Sequence, residues 1–285
     1  MDFSMYPLSN RYYSGSEKKV GIRINGSPYM LKFQKKTAFG LRYNHISEYM
    51  GSHVFALLGF STQETYLGLY HGEQVVACKD FIDPGVQFVP FNDVGESTLD
   101  QDKERYQYSY EDIMKMLEDN SKLTQVQETI SSFWEIYIVD ALLGNFDRHG
   151  SNWGFIKINN TYSLAPVFDN GSCLFPSMTS EEEMESVMHS VEETQKRVFT
   201  YPTSQIMLDG KKSSYYEVIH SRAFRECNIA LASVYQRLDI NRIFDLVDET
   251  PFISEIHKRF YKQMLEARYS LIIKSTYDLL EKDYI

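Results

Sequence analysis

The chain has 285 residues, 43% of them hydrophobic, and a net charge of −10; that length supports one large core or two lobes sharing a cleft. The acidic balance excludes a nucleic-acid backbone as principal partner, because that role needs an opposing basic surface, and no apolar run is long enough to span a bilayer. Three widely separated cysteines, Cys78, Cys173 and Cys227, exclude a disulfide framework or clustered metal site and suit a reducing compartment.

The opening Met-Asp-Phe-Ser-Met-Tyr has neither a basic nor an apolar leader segment, so the expected location is the cytoplasm, with transfer to a host cell left open. Tyr13 to Gly26 reads as two short strands around a small-residue turn, Ser14-Gly15-Ser16. Backbone N–H groups of such a turn can approach phosphate oxygens closely, and Lys18 and Lys19 add positive charge. An exposed polar hairpin fits the same residues, since no Gly-x-Gly-x-x-Gly is present. Ser14 and Ser16 are the expected autophosphorylation sites if the turn covers a nucleotide.

Ser27 to Phe33 predicts a strand with Lys32 between apolar neighbours. Such a lysine is an edge-strand charge or a snorkelling side chain, or it holds the α- and β-phosphates of a nucleotide. The second role needs a carboxylate partner on a following helix. Glu48 is available on the segment His45 to Leu58, where Ile46, Met50, Phe55 and Leu58 give an apolar face and Gly59 a stop. Gln63 to Tyr70 and Gln74 to Phe81 predict adjacent strands joined at His71-Gly72. Cys78, Lys79, Asp80 and Phe81 form the candidate hinge whose backbone would meet adenine; a central strand without a ligand explains their apolar residues equally well.

Asp83 through Gln107 is polar and irregular, a flap or insertion. Helices are expected over Tyr110–Glu118 and Thr124–Leu143, the latter with Val126, Ile130, Phe133, Trp134, Tyr137, Ile138, Ala141 and Leu142 on one face. That helix delivers the most informative stretch, Leu143-Gly-Asn-Phe-Asp147-Arg-His149-Gly-Ser-Asn152-Trp-Gly. Trp153–Ile158 and Tyr162–Phe168 then read as a hairpin turning at Asn159-Asn160 and ending on Asp169-Asn170-Gly171. An Asp, an Asn five residues on and a second Asp beyond a hairpin is the order that magnesium-assisted phosphoryl transfer requires. The first Asp orients the attacking hydroxyl, while the Asn and the second Asp hold Mg²⁺ against the triphosphate of ATP. Taken singly, each piece is also an ordinary turn, Asn170-Gly171 above all. His149 could assist proton transfer, stabilise transferring charge or simply pack.

The remaining helices are expected over Ser180–Val198, Ala223–Leu238, Ile240–Asp248 with Asp239 as cap, and Ser254–Glu281. The acid-rich segments Glu96–Glu118 and Glu181–Glu193 read as solvated. The whole predicts an α+β, bilobal protein-kinase-like fold: a β-rich N-lobe over residues 1–82 and a mainly helical C-lobe over 83–285.

Tyr29–Phe33, Ser47-Glu48-Tyr49, Val75–Phe81, Leu142–Phe155, Phe168–Leu174 and Pro251–Lys258 together resemble the HipA-like kinase family, and within it the compact CtkA-type bacterial kinases. The resemblance runs over nearly the whole chain, and its catalytic-loop piece is the most specific. It implies an ATP- and Mg²⁺-dependent serine/threonine protein kinase able to autophosphorylate, with Lys32 on the phosphates, Asp147 catalytic, and Asn152 and Asp169 on metal. The Asp-x-His-x-x-Asn form also resembles phosphatidylinositol kinases, which keeps a lipid or small-molecule acceptor open, and a nucleotide-binding pseudokinase scaffold is the third reading. Asn145-Phe146 stands where ordinary protein kinases carry His-Arg, and no Ala-Pro-Glu follows, so control by activation-loop phosphorylation is not expected. Full-length HipA toxins carry an extra N-terminal subdomain, for which little room precedes Tyr12; an antitoxin partner stays open but is not supported.

Overall fold

The computed structural model describes residues 1–13, 18–38, 40–95, 111, 113–115, 126–159, 161–208 and 210–283. Strands β1 (Lys19–Ile24) and β2 (Ser27–Phe33) form a hairpin. It closes at Asn25-Gly26, both at positive φ (50° and 84°), the backbone that a tight two-residue turn demands. The turn expected at Ser14–Ser16 lies outside the described residues. A two-residue pair follows, β3 (Lys36–Thr37) with β4 (Gly40–Leu41), and then helix α1 (Asn44–Leu57). Strands β5 (Thr65–Tyr70) and β6 (Glu73–Lys79) turn at His71-Gly72 as expected, giving an antiparallel sheet in the order β1-β2-β6-β5.

Side chains alternate across this sheet. Tyr29, Leu31, Phe33, Val75 and Ala77 make a small core on one face with Phe3 and Ile22. Met30, Lys32 and Cys78 line a cleft on the other. The first residues of the chain cover both sheet edges. Phe3 N–H donates to Leu69 O at 2.8 Å on β5, and Ser9 N–H donates to Gly21 O at 2.8 Å on β1. Edge strands are thus capped against further pairing.

Helix α1 ends at Gly59 as expected: φ there is 84°, and its N–H bonds Ala56 O at 2.9 Å while that of Phe60 bonds Phe55 O at 3.1 Å, a left-handed glycine stop.

The stretch beginning at Asp83, expected to be irregular, contains strand β7 (Val86–Pro90) and helix α2 (Phe91–Gly95). Strand β7 pairs with β8 (Gly154–Ile158), which pairs with β9 (Thr161–Leu164). Its partner lies far along the chain, so no local pattern announces it. Residues 111 and 113–115 are helical; the rest of the helix expected there lies outside the described residues. Helix α3 (Val126–Leu143) is buried on all sides from Ile136 to Leu143, as a helix through the middle of a core must be.

The helix expected over Ser180–Val198 is two helices, α4 (Glu181–His189) and α5 (Val191–Phe199). Ser190 leaves helical geometry (φ −110°, ψ 114°) and its hydroxyl accepts the Glu193 N–H, capping α5. A hairpin not anticipated from the sequence follows, β10 (Thr203–Leu208) with β11 (Lys211–Ser214), then the short helix α6 (Tyr215–Ser221), started by a reciprocal Ser214–Glu217 capping box. Asp209-Gly210 and Ser-x-x-Glu were the signals available for both. Helices α7 (Arg225–Arg237), α8 (Ile240–Glu249), α9 (Glu255–Arg268) and α10 (Ser275–Asp283) complete the chain, with a π-helical turn, Tyr269–Lys274, joining the last two. Among the described residues no helix is long and apolar enough to cross a membrane.

Candidate active site

A cleft of about 860 Å³ lies between the first sheet with α1 and the helical part of the chain. Lys32, Glu48, Asp147, His149, Asn152 and Asp169, singled out in the sequence, all line it. Lys32 Nζ stands 2.7 Å from Glu48 Oε2 and 2.9 Å from Asp169 Oδ1. Burial alone would lower the Lys32 ammonium, but the Asp169 and Glu48 carboxylates outweigh it and hold the pKa well above the ordinary value. Asp169 responds in kind: the Lys32 charge keeps its carboxyl below the usual range against the effect of burial.

Asp147 differs. Burial pushes its carboxyl up and Asp169 adds to the rise, against the opposing charges of His149, Lys212 and Arg148. Asn152 Nδ2 donates to Asp147 O at 2.7 Å, which closes the loop, and Asn152 lines the cleft. His149 Nδ1 accepts the Ser151 N–H at 3.2 Å. The ring proton of neutral His149 is therefore on Nε2, 3.8 Å from Asp147 Oδ1.

Two predicted binding residues point elsewhere. Lys18 pairs with Glu73 at 2.7 Å and lies over the Phe33 ring at 4.0 Å. Lys19, opposite Lys32 in the strand register, lines the cleft instead; alternation along β1 sends its neighbour to the other face. Lys79 likewise leaves the cleft for Glu64 at 3.0 Å. Its backbone is engaged too, N–H to Glu64 O and carbonyl from Gln63 Nε2, each at 2.9 Å. Cys78, Asp80 and Phe81 do line the cleft. Asp80 is held by Arg11 at 2.5 Å and by the Ile82 N–H at 2.9 Å, and Phe81 packs with Phe168 and Phe88 at 5.5 and 6.2 Å between ring centres. Ser14, Gly15 and Ser16 lie outside the described residues.

With this geometry in place, comparison with known proteins is decisive. Residues 12–250 match the HipA-like C-terminal domain. The chain belongs to the HipA-like family. A protein of Helicobacter pylori strain J99 named serine/threonine-protein kinase CtkA is 36% identical over 282 residues, which is 96% of this chain and 86% of that protein. The crystal structure of a Helicobacter pylori proinflammatory kinase CtkA superposes with a TM-score of 0.93 at 31% identity, covering 100% of this chain and 99% of that one. HipA of Shewanella oneidensis MR-1, solved in a toxin–antitoxin complex with HipB and operator DNA, gives a TM-score of 0.58 at 13% identity over 95% of this chain and 67% of that chain, a likeness of fold alone. This HipA-like chain is a kinase, with the α+β architecture its sequence predicts.

The HipA-like site also depends on residues to which the sequence analysis assigned no role. Arg148 is buried and forks onto Asp140 through Nε (2.8 Å) and Nη2 (3.0 Å). It further donates to the carbonyls of Asn152 (3.1 Å) and Phe168 (2.6 Å) and to Asn170 Oδ1 (2.6 Å). One guanidinium thus joins helix α3, the Asp147 loop and the Asp169 loop. Asn145, fully buried, bonds Asp140 Oδ1 at 2.9 Å and accepts the Asp147 N–H at 3.1 Å. The available signal was a lone Asp140 inside an apolar helix, since a buried acid requires a partner.

Proposed function

We propose that this kinase transfers the γ-phosphoryl of ATP, with Mg²⁺, to serine or threonine hydroxyls of protein, its own chain included. One observation carries the reading: Lys32, Glu48 and Asp169 form a single ionic cluster that faces Asp147 and Asn152 across one cleft. Residues 1–82 would act as the nucleotide-holding lobe and 83–285 as the lobe carrying the catalytic and metal loops. The serine/threonine assignment draws on the relative named serine/threonine-protein kinase CtkA.

The residues present fit Mg²⁺. Among the described residues no group of three or more His, Cys, Asp or Glu could enclose a metal; the donors on offer are the Asp169 carboxylate and the Asn152 amide oxygen. Such a short oxygen set suits an ion that keeps water and phosphate oxygens in its shell. Asp169 and Asn152 would hold the ion, which would supply positive charge against the phosphates. Lys32, held by Glu48, binds the phosphates. Phe81, Phe88 and Phe168 form an apolar wall for adenine beside the hinge residues. Asp147 receives the hydroxyl proton, and its raised pKa brings it closer to the basicity that role requires. His149, with its proton on Nε2 toward Asp147, orients that carboxylate; the hydroxyl proton goes to Asp147. Most of the rate comes from positioning and electrostatics.

Purified wild type and Asp147→Asn, incubated with Mg²⁺ and γ-labelled ATP and followed by intact mass, test the reading. Label in the wild type alone supports it. Label in both removes Asp147 from the reaction, and label in neither rejects a self-phosphorylating protein kinase.

A further inference from the structure

Beyond the cleft, a second pocket of about 230 Å³ opens next to the reacting residues. Phe146, immediately before Asp147, stacks with Tyr201 at 6.5 Å, and Tyr201 meets Phe175 at 6.2 Å. The two loops that carry Asp147 and Asp169 therefore run directly into its walls, Phe146 on one side and residues 175–178 on the other. Neighbours of an acceptor hydroxyl held at Asp147 are one extended residue, about 3.3 Å, further along the bound chain, and this pocket is where they would arrive. Its rim charges cancel internally: Arg197 pairs with Glu193 at 2.6 Å and with Glu183 at 3.9 Å, and Lys196 with Glu193 at 3.9 Å. What remains for recognition is an aromatic floor.

Arg42 is not cancelled. It lines the main cleft with Gly171 and Ser172, and the next residue, Tyr43, is bonded through its N–H to Pro176 O in the wall of the second pocket. Arg11, Lys32 and Arg148 are each ion-paired. Arg42 has no carboxylate within ion-pair distance among the described residues, and its Nε is buried without a hydrogen-bond partner. Its backbone is fixed on both sides, Arg42 N–H to Lys35 O and Tyr43 N–H to Pro176 O, each at 2.8 Å. A half-buried guanidinium with no counter-ion is poised for an anion, and its planar fork matches carboxylate or phosphate.

We infer that the protein segment phosphorylated by this kinase seats a large apolar side chain in the Phe146–Phe175–Tyr201 pocket and an anionic side chain against Arg42, both beside the acceptor hydroxyl. The inference rests on the protein-kinase reading above and specifies its substrate. Selectivity of this kind is a difference of affinities set by one unmatched charge and one apolar hole.

The test uses the full chain, wild type and Arg42→Glu, with arrayed serine peptides varied one position at a time on either side of the acceptor and γ-labelled ATP. Expected is a wild-type preference, on the order of tenfold in kcat/KM, for a carboxylate or phosphoserine over arginine at one position and for a large apolar residue at another. In Arg42→Glu the ratio for aspartate against arginine at that position inverts. Because the readout is a ratio within one protein, a general loss of activity does not imitate it; if Arg42→Glu fails to fold, Arg42→Gln must bring the ratio toward one. Phe175→Ala should erase the apolar preference. Aspartate and phosphoserine arms tell carboxylate from phosphate recognition. Peptides labelled without positional preference, or an unchanged ratio in the Arg42 variants, overturn the inference and leave the kinase reading standing. No labelling of any peptide, with ATP bound, overturns the protein-kinase reading itself.

Discussion

Glu48 Oε1 accepts the backbone N–H of Asn170 at 3.0 Å while its Oε2 holds Lys32. Helix α1 is thereby bound to the loop of Asp169 as well as to strand β2. Other contacts fix the same helix: Thr250 Oγ1 lies 2.9 Å from Met50 Sδ, Asn170 Nδ2 donates to Ser52 Oγ at 3.1 Å, and the Tyr43 and His257 rings meet at 4.2 Å. Gly51 has no room for a side chain, since a Cβ there would overlap Asn170. The Lys32–Glu48 pair is thus held in place by packing around α1.

Glu48→Gln keeps an acceptor for Asn170 but removes the charge that shares Lys32 with Asp169. The ammonium then sits closer to Asp169 and further from the phosphates. Expected is a loss of roughly 10–100-fold in kcat/KM for ATP, with little change in melting temperature. Steady-state ADP release decides it, and wild-type kinetics would remove Glu48 from the site.

Arg148→Met leaves Asp140, 1% exposed, as a buried carboxylate without its ion partner. Breaking a buried pair in this way costs about 3–5 kcal/mol. Arg148→Lys should recover little, because a point charge cannot serve Asp140, Asn170 and two carbonyls together. Urea unfolding measures both, and a variant as stable as wild type would falsify the role of Arg148 as the joint between the loops.

Activity should fall with decreasing pH as Asp147 takes up a proton, and burial raises that pKa, so the acid limb of kcat/KM lies above the ordinary aspartate range. Asp169, held down by Lys32, stays ionised through the same interval. In the pH–rate profile, a limb at or below the ordinary aspartate value would contradict the assignment.

His45 and His257 are buried, and burial lowers each from 6.5 to about 4. Between those values the unfolded chain binds protons that the folded chain does not, so stability is lost as pH falls from 6.5 toward 4. The slope is up to about 1.4 kcal/mol per pH unit for each histidine. Denaturant midpoints across that window should show it, and His257→Phe should flatten the curve; an unaltered slope would return His257 to the neutral background.

Local patterning carried much of this protein. The Asp147–Asn152 loop, Lys32 on its strand, Glu48 on its helix, the His71-Gly72 turn and the Gly59 stop were all legible, because each depends on residues a few positions apart. The break at Ser190 and the hairpin at Asp209-Gly210 had local signals that went unread. Strand β7 had none, since a strand without strong alternation is defined by its partner, and β8 begins far downstream.

From sequence alone came the α+β kinase-like fold and the set of residues that converge on the cleft, because hydrophobic period, turn chemistry and motif spacing are short-range properties of the chain. Tertiary structure alone decided that Lys19 and not Lys18 enters the cleft, that Arg148 joins three segments and that Arg42, among the described residues, stands without a counter-ion. Register and ion pairing are set by what lies across the fold, and a charge acquires its meaning only when its neighbours in space are known.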